Sequence, residues 1–153
     1  MTALGARWAR RDEGGTALVE VTWLSVLLLV PLLYIMLAVF EVQRSAFAVS
    51  AAARSAGRAY AIAPDEAAAG DRAATAAAVA LGDQHLDETR SRLQVTCEPD
   101  PANCLAPGSV ITVEVAYPVA LPLMPTALGR STPSIRVEAV HRVPYGTFRE
   151  DRP

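Results

Sequence analysis

The stretch that decides the fold runs from Val21 to Phe40 and reads Val-Thr-Trp-Leu-Ser-Val-Leu-Leu-Leu-Val-Pro-Leu-Leu-Tyr-Ile-Met-Leu-Ala-Val-Phe, without a charged residue. A helix of about 20 apolar residues rises about 30 Å, which matches the hydrocarbon core of a bilayer. A secretory signal has a shorter apolar region of about 7–15 residues. The length therefore predicts a retained transmembrane helix, which we place at residues 17–40. Pro31 removes one helix hydrogen bond, so we expect it to bend this helix without ending it.

Composition limits the classes of function that the rest of the chain can have. The 153 residues carry a formal net charge of −2, and all 14 basic residues are Arg. No basic patch indicates a nucleic-acid partner. The sequence shows no nucleophile-elbow serine and no glycine-rich phosphate loop, and His85 and His141 have no obvious acidic partner. We therefore expect a protein that is not an enzyme and has neither a cofactor nor a small-molecule substrate.

Two cysteines, Cys97 and Cys104, lie close together in the sequence. A zinc site needs about four ligands, usually arranged in Cys-x-x-Cys pairs, and this spacing does not supply them, so we expect no metal site. A disulfide that closes the intervening loop is the better interpretation if this part of the chain lies outside the cytoplasm. Two unrelated thiols remain the alternative, which a cytoplasmic location would favour.

The helical pattern continues beyond the apolar stretch, from Glu41 to Ala63, and Pro64 then ends it. Small residues recur four apart in two rows, which are Ser45, Val49, Ala53, Gly57 and Ala61 in one and Ala48, Ala52 and Ala56 in the other. Rows of this kind allow another helix to approach closely. An alanine-rich, solvated stalk with high helix propensity would have the same composition, so the sequence leaves both interpretations open.

The remaining residues predict a second helix and a small sheet. Asp65 can cap a helix from Glu66 to about Leu81, which Gly82 can end. Its apolar side is nearly all alanine, so this helix must lie tightly on something flat. Three segments alternate apolar with polar residues, as half-buried strands do: Leu93 to Cys97, Ile111 to Tyr117 and Ile135 to Ala139. Pro107-Gly108 predicts a turn before the second strand. We interpret the apolar, proline-rich stretch from Pro118 to Pro133 as a long packed loop.

A specific motif precedes the apolar stretch. A short, Arg-containing leader ends in Gly14-Gly15, the apolar helix follows at once, and Glu20 stands at the fifth position after Gly15. This arrangement resembles the class III signal of type IV pilins, which prepilin peptidase cuts after the glycine. The resemblance places the cut between Gly15 and Thr16, on the cytoplasmic side, and leaves the helix on the mature protein. It also implies that Glu20 pairs with the free amine of a neighbouring subunit's first residue, here Thr16. A carboxylate that only caps the helix at the headgroups would look the same in sequence.

The resemblance narrows to one family. The stretches Gly15 to Glu20, Val26 to Leu33 and Ala51 to Ala59 are similar to TadE-like proteins of the tight-adherence (Flp) pilus system. Those proteins have a Val-Glu pair entering an apolar helix and an Ala-Ala-Arg-x-Ala-x-Arg-Ala-type sequence after it. Pro107 to Val113 and Val137 to Arg142 also resemble the family's strand regions. The likeness covers most of the chain.

The chain departs from this family at two places. Val21 replaces the Phe that follows the Glu in many relatives, and the acidic residues Asp12 and Glu13 lie beside the expected cut. Prepilin peptidase reads the Gly and the Glu, so the valine is of little consequence. The two acids make the leader less basic than such a signal usually is.

The expected fold is α+β and pilin-like, with a long N-terminal helix and then a second helix packed on a small antiparallel sheet. We expect a leader at 1–15, an N-terminal helix at 16–63 and an extracytoplasmic domain at 64–153. The short N-terminal tail and the cysteine pair favour the N-terminus in the cytoplasm and the domain outside, in the bacterial inner membrane.

The resemblance implies a minor pilin or pseudopilin, with prepilin peptidase and other pilus subunits as partners. Major Flp pilins are little more than the N-terminal helix, and an added domain would obstruct dense stacking in a thin filament. An uncleaved single-pass cell-envelope protein with an extracytoplasmic binding domain is the alternative.

Overall fold

The computed structural model describes residues 13–120 and 134–152, with side chains from Ala17 onward. In these residues two helices precede three strands: α1 (Glu13–Ala61), α2 (Glu66–Gly82), β1 (Arg92–Glu98), β2 (Val110–Ala120) and β3 (Ser134–Pro144), with a short 3₁₀ helix at Glu88–Arg90 between α2 and β1. The α+β class is thus confirmed. The chain forms two compact units, Met1–Val39 and Phe40–Pro153, so α1 contributes residues to both.

The helix α2 begins where the sequence predicts. The Asp65 carboxylate accepts a hydrogen bond of 2.8 Å from the backbone N–H of Ala68, which satisfies one of the free donors at the helix start. Its buried residues are Ala69, Ala73, Ala77 and Leu81, which recur every four residues along one side. Three of the four are alanine, so the backbone of α2 can lie close to the surface that it covers.

The three strands form an antiparallel sheet in the order β1-β2-β3, as the alternating patterns predict. Val113 in the central strand lies opposite Val95 of β1 and His141 of β3, and these positions belong to one face of the sheet. On this face Ile111, Val113 and Val115 of β2 are fully buried. Gly108 has a φ of +84°, so it supplies the left-handed backbone that the predicted turn before β2 requires.

The loop predicted from Pro118 to Pro133 is wrong at its start, because β2 continues through Pro118 to Ala120. The rest of that loop, residues 121–133, lies outside the described residues. Proline is disfavoured in central strands because it cannot donate a ladder hydrogen bond. However, β1 pairs with β2 only as far as Ala116, so Pro118 has β3 alone as a neighbour. The Pro118 carbonyl accepts a hydrogen bond of 3.2 Å from the Arg90 guanidinium.

The first small-residue row of α1 faces the sheet. Ser45, Val49, Ala53 and Ala61 are at most 5% exposed, and Gly57 is also buried. A Cβ atom on Gly57 would lie 2.8 Å from Cγ2 of Val143 and 3.6 Å from Cγ2 of Val113. The helix therefore crosses β2 and β3 in closest approach at Gly57. The solvated-stalk interpretation of this segment is wrong.

The second row of α1 faces α2. Ala48, Ala52 and Ala56 are fully buried, and they lie in the same four-residue row as Arg44 and Tyr60. The Tyr60 hydroxyl donates to the Glu66 carboxylate at the start of α2. The Arg44 guanidinium donates to the Gln84 carbonyl, 3.1 Å away, just beyond the end of α2. Two hydrogen bonds at opposite ends show that α2 runs antiparallel to α1, and alanine rows on both helices allow the close approach.

The residues after β3 hold the C-terminal end of α1 in place. Arg149 and Arg152 each donate a hydrogen bond of 2.9 Å, to the carbonyls of Ala61 and Ala63 respectively. Carbonyls at a helix C-terminus lack partners within the helix, so cationic donors are favourable there. Tyr145 is fully buried in the same region. The residues after β3 thus cover the end of the domain at which α1 ends.

Candidate functional site

Among the residues that the structure describes, the apolar part of α1 has no buried face. Large apolar side chains from Leu18 to Phe40 are exposed on every side, for example Trp23 at 69%, Leu27 at 66% and Phe40 at 61%. Within the described residues α1 is the one helix long and apolar enough to cross a membrane, on length and composition alone. A helix that is apolar all round requires lipid or other protein around it. This surface is the candidate site of membrane insertion or of contact with other protein.

Polar side chains inside this segment are satisfied by the helix itself. The Thr22 hydroxyl donates to the Leu18 carbonyl at 2.8 Å, and the Ser25 hydroxyl donates to the Val21 carbonyl at 2.7 Å. Such bonds to the preceding turn remove the cost of placing a hydroxyl in an apolar medium. These two residues therefore need no partner outside α1.

Glu20 is different, since it is the one charged residue between Ala17 and Phe40. Its side chain is exposed, and it makes no hydrogen bond or ion pair with the side chains that the structure describes. A carboxylate near a helix N-terminus gains about 0.3–1 kcal/mol from the helix dipole. Deep in lipid it would cost about 2.5–3.5 kcal/mol without a partner. The structure thus places Glu20 on an exposed apolar helix with no partner of its own among these side chains.

The predicted cut lies in the first turns of the same helix. Gly15 and Thr16 belong to α1, which begins at Glu13. Glu20 is four residues after Thr16, so the two positions lie on neighbouring parts of one helix face. A cut after Gly15 would therefore create a new amine about 6 Å along the helix axis from Glu20.

The predicted cysteine pair is joined in a different part of the molecule. Cys97 and Cys104 form a disulfide with a Cα–Cα distance of 5.3 Å. Both are buried, at 3% and 5% exposure, where β1 ends and the loop towards β2 begins. The bond therefore ties a connecting loop to the sheet and plays no part at the N-terminal segment.

Replacing both cysteines by serine should lower the free energy of unfolding by about 2–3 kcal/mol. The bond closes a short loop, with a sequence separation of 7, and the chain-entropy model gives this magnitude for loops of that size. Urea unfolding of the full chain in detergent, followed by protease resistance of the domain, measures the change. A reductant should lower the stability of the wild-type protein to a similar extent and leave the double variant unchanged. Free thiols in freshly isolated, unreduced protein would contradict the bond.

The two histidines lie in different parts of the folded domain. His141 lies against the close approach of α1 to the sheet, where its Cδ2 atom would be 3.3 Å from a Cβ on Gly57. His85 is exposed, with a φ of +57°, just after α2. In the part of the chain that the structure describes, no group of three or more His, Cys, Asp and Glu residues could hold a metal ion.

Sequence patterns did not indicate a cleft at one end of the sheet, where Arg90, Arg92 and Arg136 come together. Arg92 begins β1, and Arg136 lies near the start of β3. Since both strands run antiparallel to β2, an arginine near the start of each could have been expected beside the end of β2. The sequence therefore shows the two arginines at the starts of their strands, but the cleft can be inferred from them only when the order of the strands in the sheet is known.

The chain was also compared with known proteins. No family model, no curated protein and no solved structure matches it. Its function must therefore be argued from its own residues and their geometry.

Proposed function

We propose that the protein is a minor pilin or pseudopilin of a Flp (tight-adherence) type IV pilus. The observation that supports it is Glu20, a carboxylate with no partner among the described side chains, near the start of an exposed apolar helix and five positions after Gly15. A lone acid at that place offers a simple membrane anchor no more than about 0.3–1 kcal/mol from the helix dipole. It is useful to a subunit that must recognise the cationic N-terminus of another subunit while its apolar helix packs among similar helices.

The proposed route begins in the inner membrane, with the leader in the cytoplasm and the domain outside. Prepilin peptidase hydrolyses the Gly15–Thr16 bond and leaves α1 on the protein. The exposed apolar residues between Leu18 and Phe40 then exchange lipid for the helices of neighbouring subunits. The Cys97–Cys104 disulfide suits an oxidising compartment and so supports the proposed orientation.

The folded domain favours the role of a minor subunit over that of the main subunit that builds the filament. Residues from Phe40 onward form their own compact unit with a buried core. A bulky unit on every subunit would keep neighbouring helices apart in a thin filament. A few such subunits at the tip or the base would not, so we propose that this chain takes part in assembly or forms one end of the pilus.

Mature protein isolated from cells that contain the prepilin peptidase should begin at Thr16. The peptidase requires a residue without a side chain before the cut, so Gly15→Leu should leave nearly all of the protein uncleaved. Gly14→Leu is the matched control, because it adds the same bulk one residue earlier and should still be cut. Intact-mass spectrometry and N-terminal sequencing distinguish the two forms.

An uncleaved single-pass protein of the cell envelope is the second candidate, favoured by the acids Asp12 and Glu13, which precede Gly14-Gly15 in the leader. It shares the apolar helix and the outer domain and needs no contact with pilus subunits. An intact leader in native membranes that contain active peptidase would support this candidate and exclude the pseudopilin.

A further inference from the structure

A basic cleft of about 380 Å³ lies at one end of the sheet, lined by Arg90, Arg92 and Arg136 together with Tyr117 and Pro118. Arg92 and Arg136 are on the sheet face that points away from α1, since they alternate with the buried positions of β1 and β3. Arg90 reaches the cleft from the 3₁₀ helix before β1. Three guanidinium groups thus converge on one open space.

Two of these three guanidinium groups form no ion pair within the described residues. Arg136 pairs with Glu138 and, at 3.9 Å, with Glu114. Arg90 and Arg92 form no ion pair with any acid that the structure describes, and residues 121–133, which continue from the end of β2, contain no Asp or Glu. Asp87 lies near Arg90, but it does not line the cleft, and its carboxylate accepts hydrogen bonds from the Thr89 backbone and hydroxyl. Among the described residues that line the cleft, three are arginines and none is acidic.

Arg90 is also held in position. Its guanidinium donates to the Pro118 carbonyl at 3.2 Å, beyond the first residue pair of β1 and β2, and its Cζ lies 5.6 Å from the centre of the Tyr117 ring. These contacts use one side of the guanidinium and leave other N–H donors available. A preorganised arginine loses less entropy when it binds an anion.

The position of the cleft indicates which anion it meets. Gly57 and Ala61 of α1 lie near the start of β2 and the end of β3, as the Gly57 and Arg149 contacts show. Arg44, near the point where the chain enters the domain, bonds to Gln84 just before the 3₁₀ helix that carries Arg90. The cleft is therefore at the end of the domain that holds the first residues of α1 after the apolar stretch.

We propose that this cleft binds the phosphate of an anionic lipid headgroup in the membrane that the apolar helix enters. Phosphate matches the forked donors of arginine, and its charge complements the guanidinium groups of Arg90 and Arg92, which form no ion pair with a described acid. Contact with anionic headgroups would hold this end of the domain at the membrane surface. The proposal is independent of a pilus role, since any protein with this domain and anchor would have the same contact.

The test uses the full chain in mixed micelles and native mass spectrometry of the retained lipids. Wild-type protein should retain phosphatidylglycerol in preference to phosphatidylcholine, and Arg90→Gln/Arg92→Gln should reduce that preference by about 5–30-fold, since each basic residue near an anionic surface contributes about fivefold. Arg142→Gln is the matched control, an exposed arginine towards the opposite end of the same outer face, and should keep the preference. The single variant Arg92→Gln, which removes no hydrogen bond seen in the described residues, should show an intermediate loss.

Several results would overturn the proposal. Equal retention of the two lipids by the wild-type protein would exclude a headgroup site, and an equal loss in Arg142→Gln would show only general attraction. Millimolar inorganic phosphate that removes the preference would show that the cleft takes free phosphate. Unchanged lipid retention with weaker crosslinking to another envelope protein would assign the arginines to an acidic protein partner. Protease resistance of the domain in each variant confirms that folding is intact.

Discussion

Gly57→Leu should destabilise the domain by about 3 kcal/mol, at the upper end of the usual cost of overpacking a core. Even the first added carbon would lie 2.8 Å from the Val143 side chain and 3.3 Å from the His141 ring. The rest of a leucine would have to separate α1 from the sheet, so the buried contacts of Val49 and Ala53 would be lost with it. We expect the domain to be largely open in conditions where the wild-type domain is closed.

Gly70→Leu is the control for this prediction. Gly70 is also a helical glycine, within α2, but a Cβ there would have no atom within 4 Å. Since leucine has a better helix propensity than glycine, this change should stabilise by up to about 1 kcal/mol. Pulse proteolysis of both variants in detergent, across a urea series, gives the two free energies. Equal stability of the two variants would mean that α1 does not pack on the sheet at Gly57.

Local patterns were sufficient for most of the secondary structure. The alternation in residues 93–97, 111–117 and 135–139 gave the three strands, and Asp65 gave the start of α2. Each signal depends on neighbours within a few residues, so sequence alone contains it. The disulfide was predicted on the condition that this part of the chain lies outside the cytoplasm, and the structure contains it.

The packing partners of these elements could not be predicted from the sequence, because they depend on contacts between distant parts of the chain. The small-residue rows predicted a close approach but did not identify the partner, and the structure gives two: the sheet for the row that contains Gly57, and α2 for the row that contains Ala52. Pro118 indicated a loop, but β1 pairs with β2 only as far as Ala116. On that side of Pro118 no ladder hydrogen bond exists that the proline could break. In both cases the missing information was which elements are neighbours.

Glu20→Gln should leave membrane insertion and cleavage intact and strongly reduce association with other pilus subunits. Glutamine keeps the shape and some hydrogen bonding of the side chain but removes its charge. If Glu20 pairs with a neighbour's Thr16 amine inside an apolar helix bundle, the loss leaves an unpaired buried charge, which typically costs about 3–5 kcal/mol. Crosslinking and co-purification should then fall by about a hundredfold or more, and pili should be few.

Two controls separate this role from its alternatives. Glu41→Gln removes a carboxylate at the other end of the apolar stretch, where it pairs with Arg44 at 2.7 Å, and should leave association unchanged. Glu20→Asp keeps the charge and should restore part of the association. A carboxylate that only caps its own helix contributes about 0.3–1 kcal/mol, so the Gln variant would then assemble almost normally.

The amine that cleavage would create at Thr16 allows a test of whether Glu20 pairs within its own chain or with a neighbouring subunit. After cleavage, Glu20 could pair with Thr16 of its own chain, because residues four apart share a helix face. A pair within one chain would exist in the isolated subunit, so Glu20→Gln would then destabilise the cleaved monomer and have no effect on the uncleaved Gly15→Leu protein. A pair between chains would leave both monomers equally stable and change association alone. Comparing monomer stability and crosslinking in cleaved and uncleaved forms therefore decides whether Glu20 recognises a partner, and wild-type association in the Gln variant would exclude it.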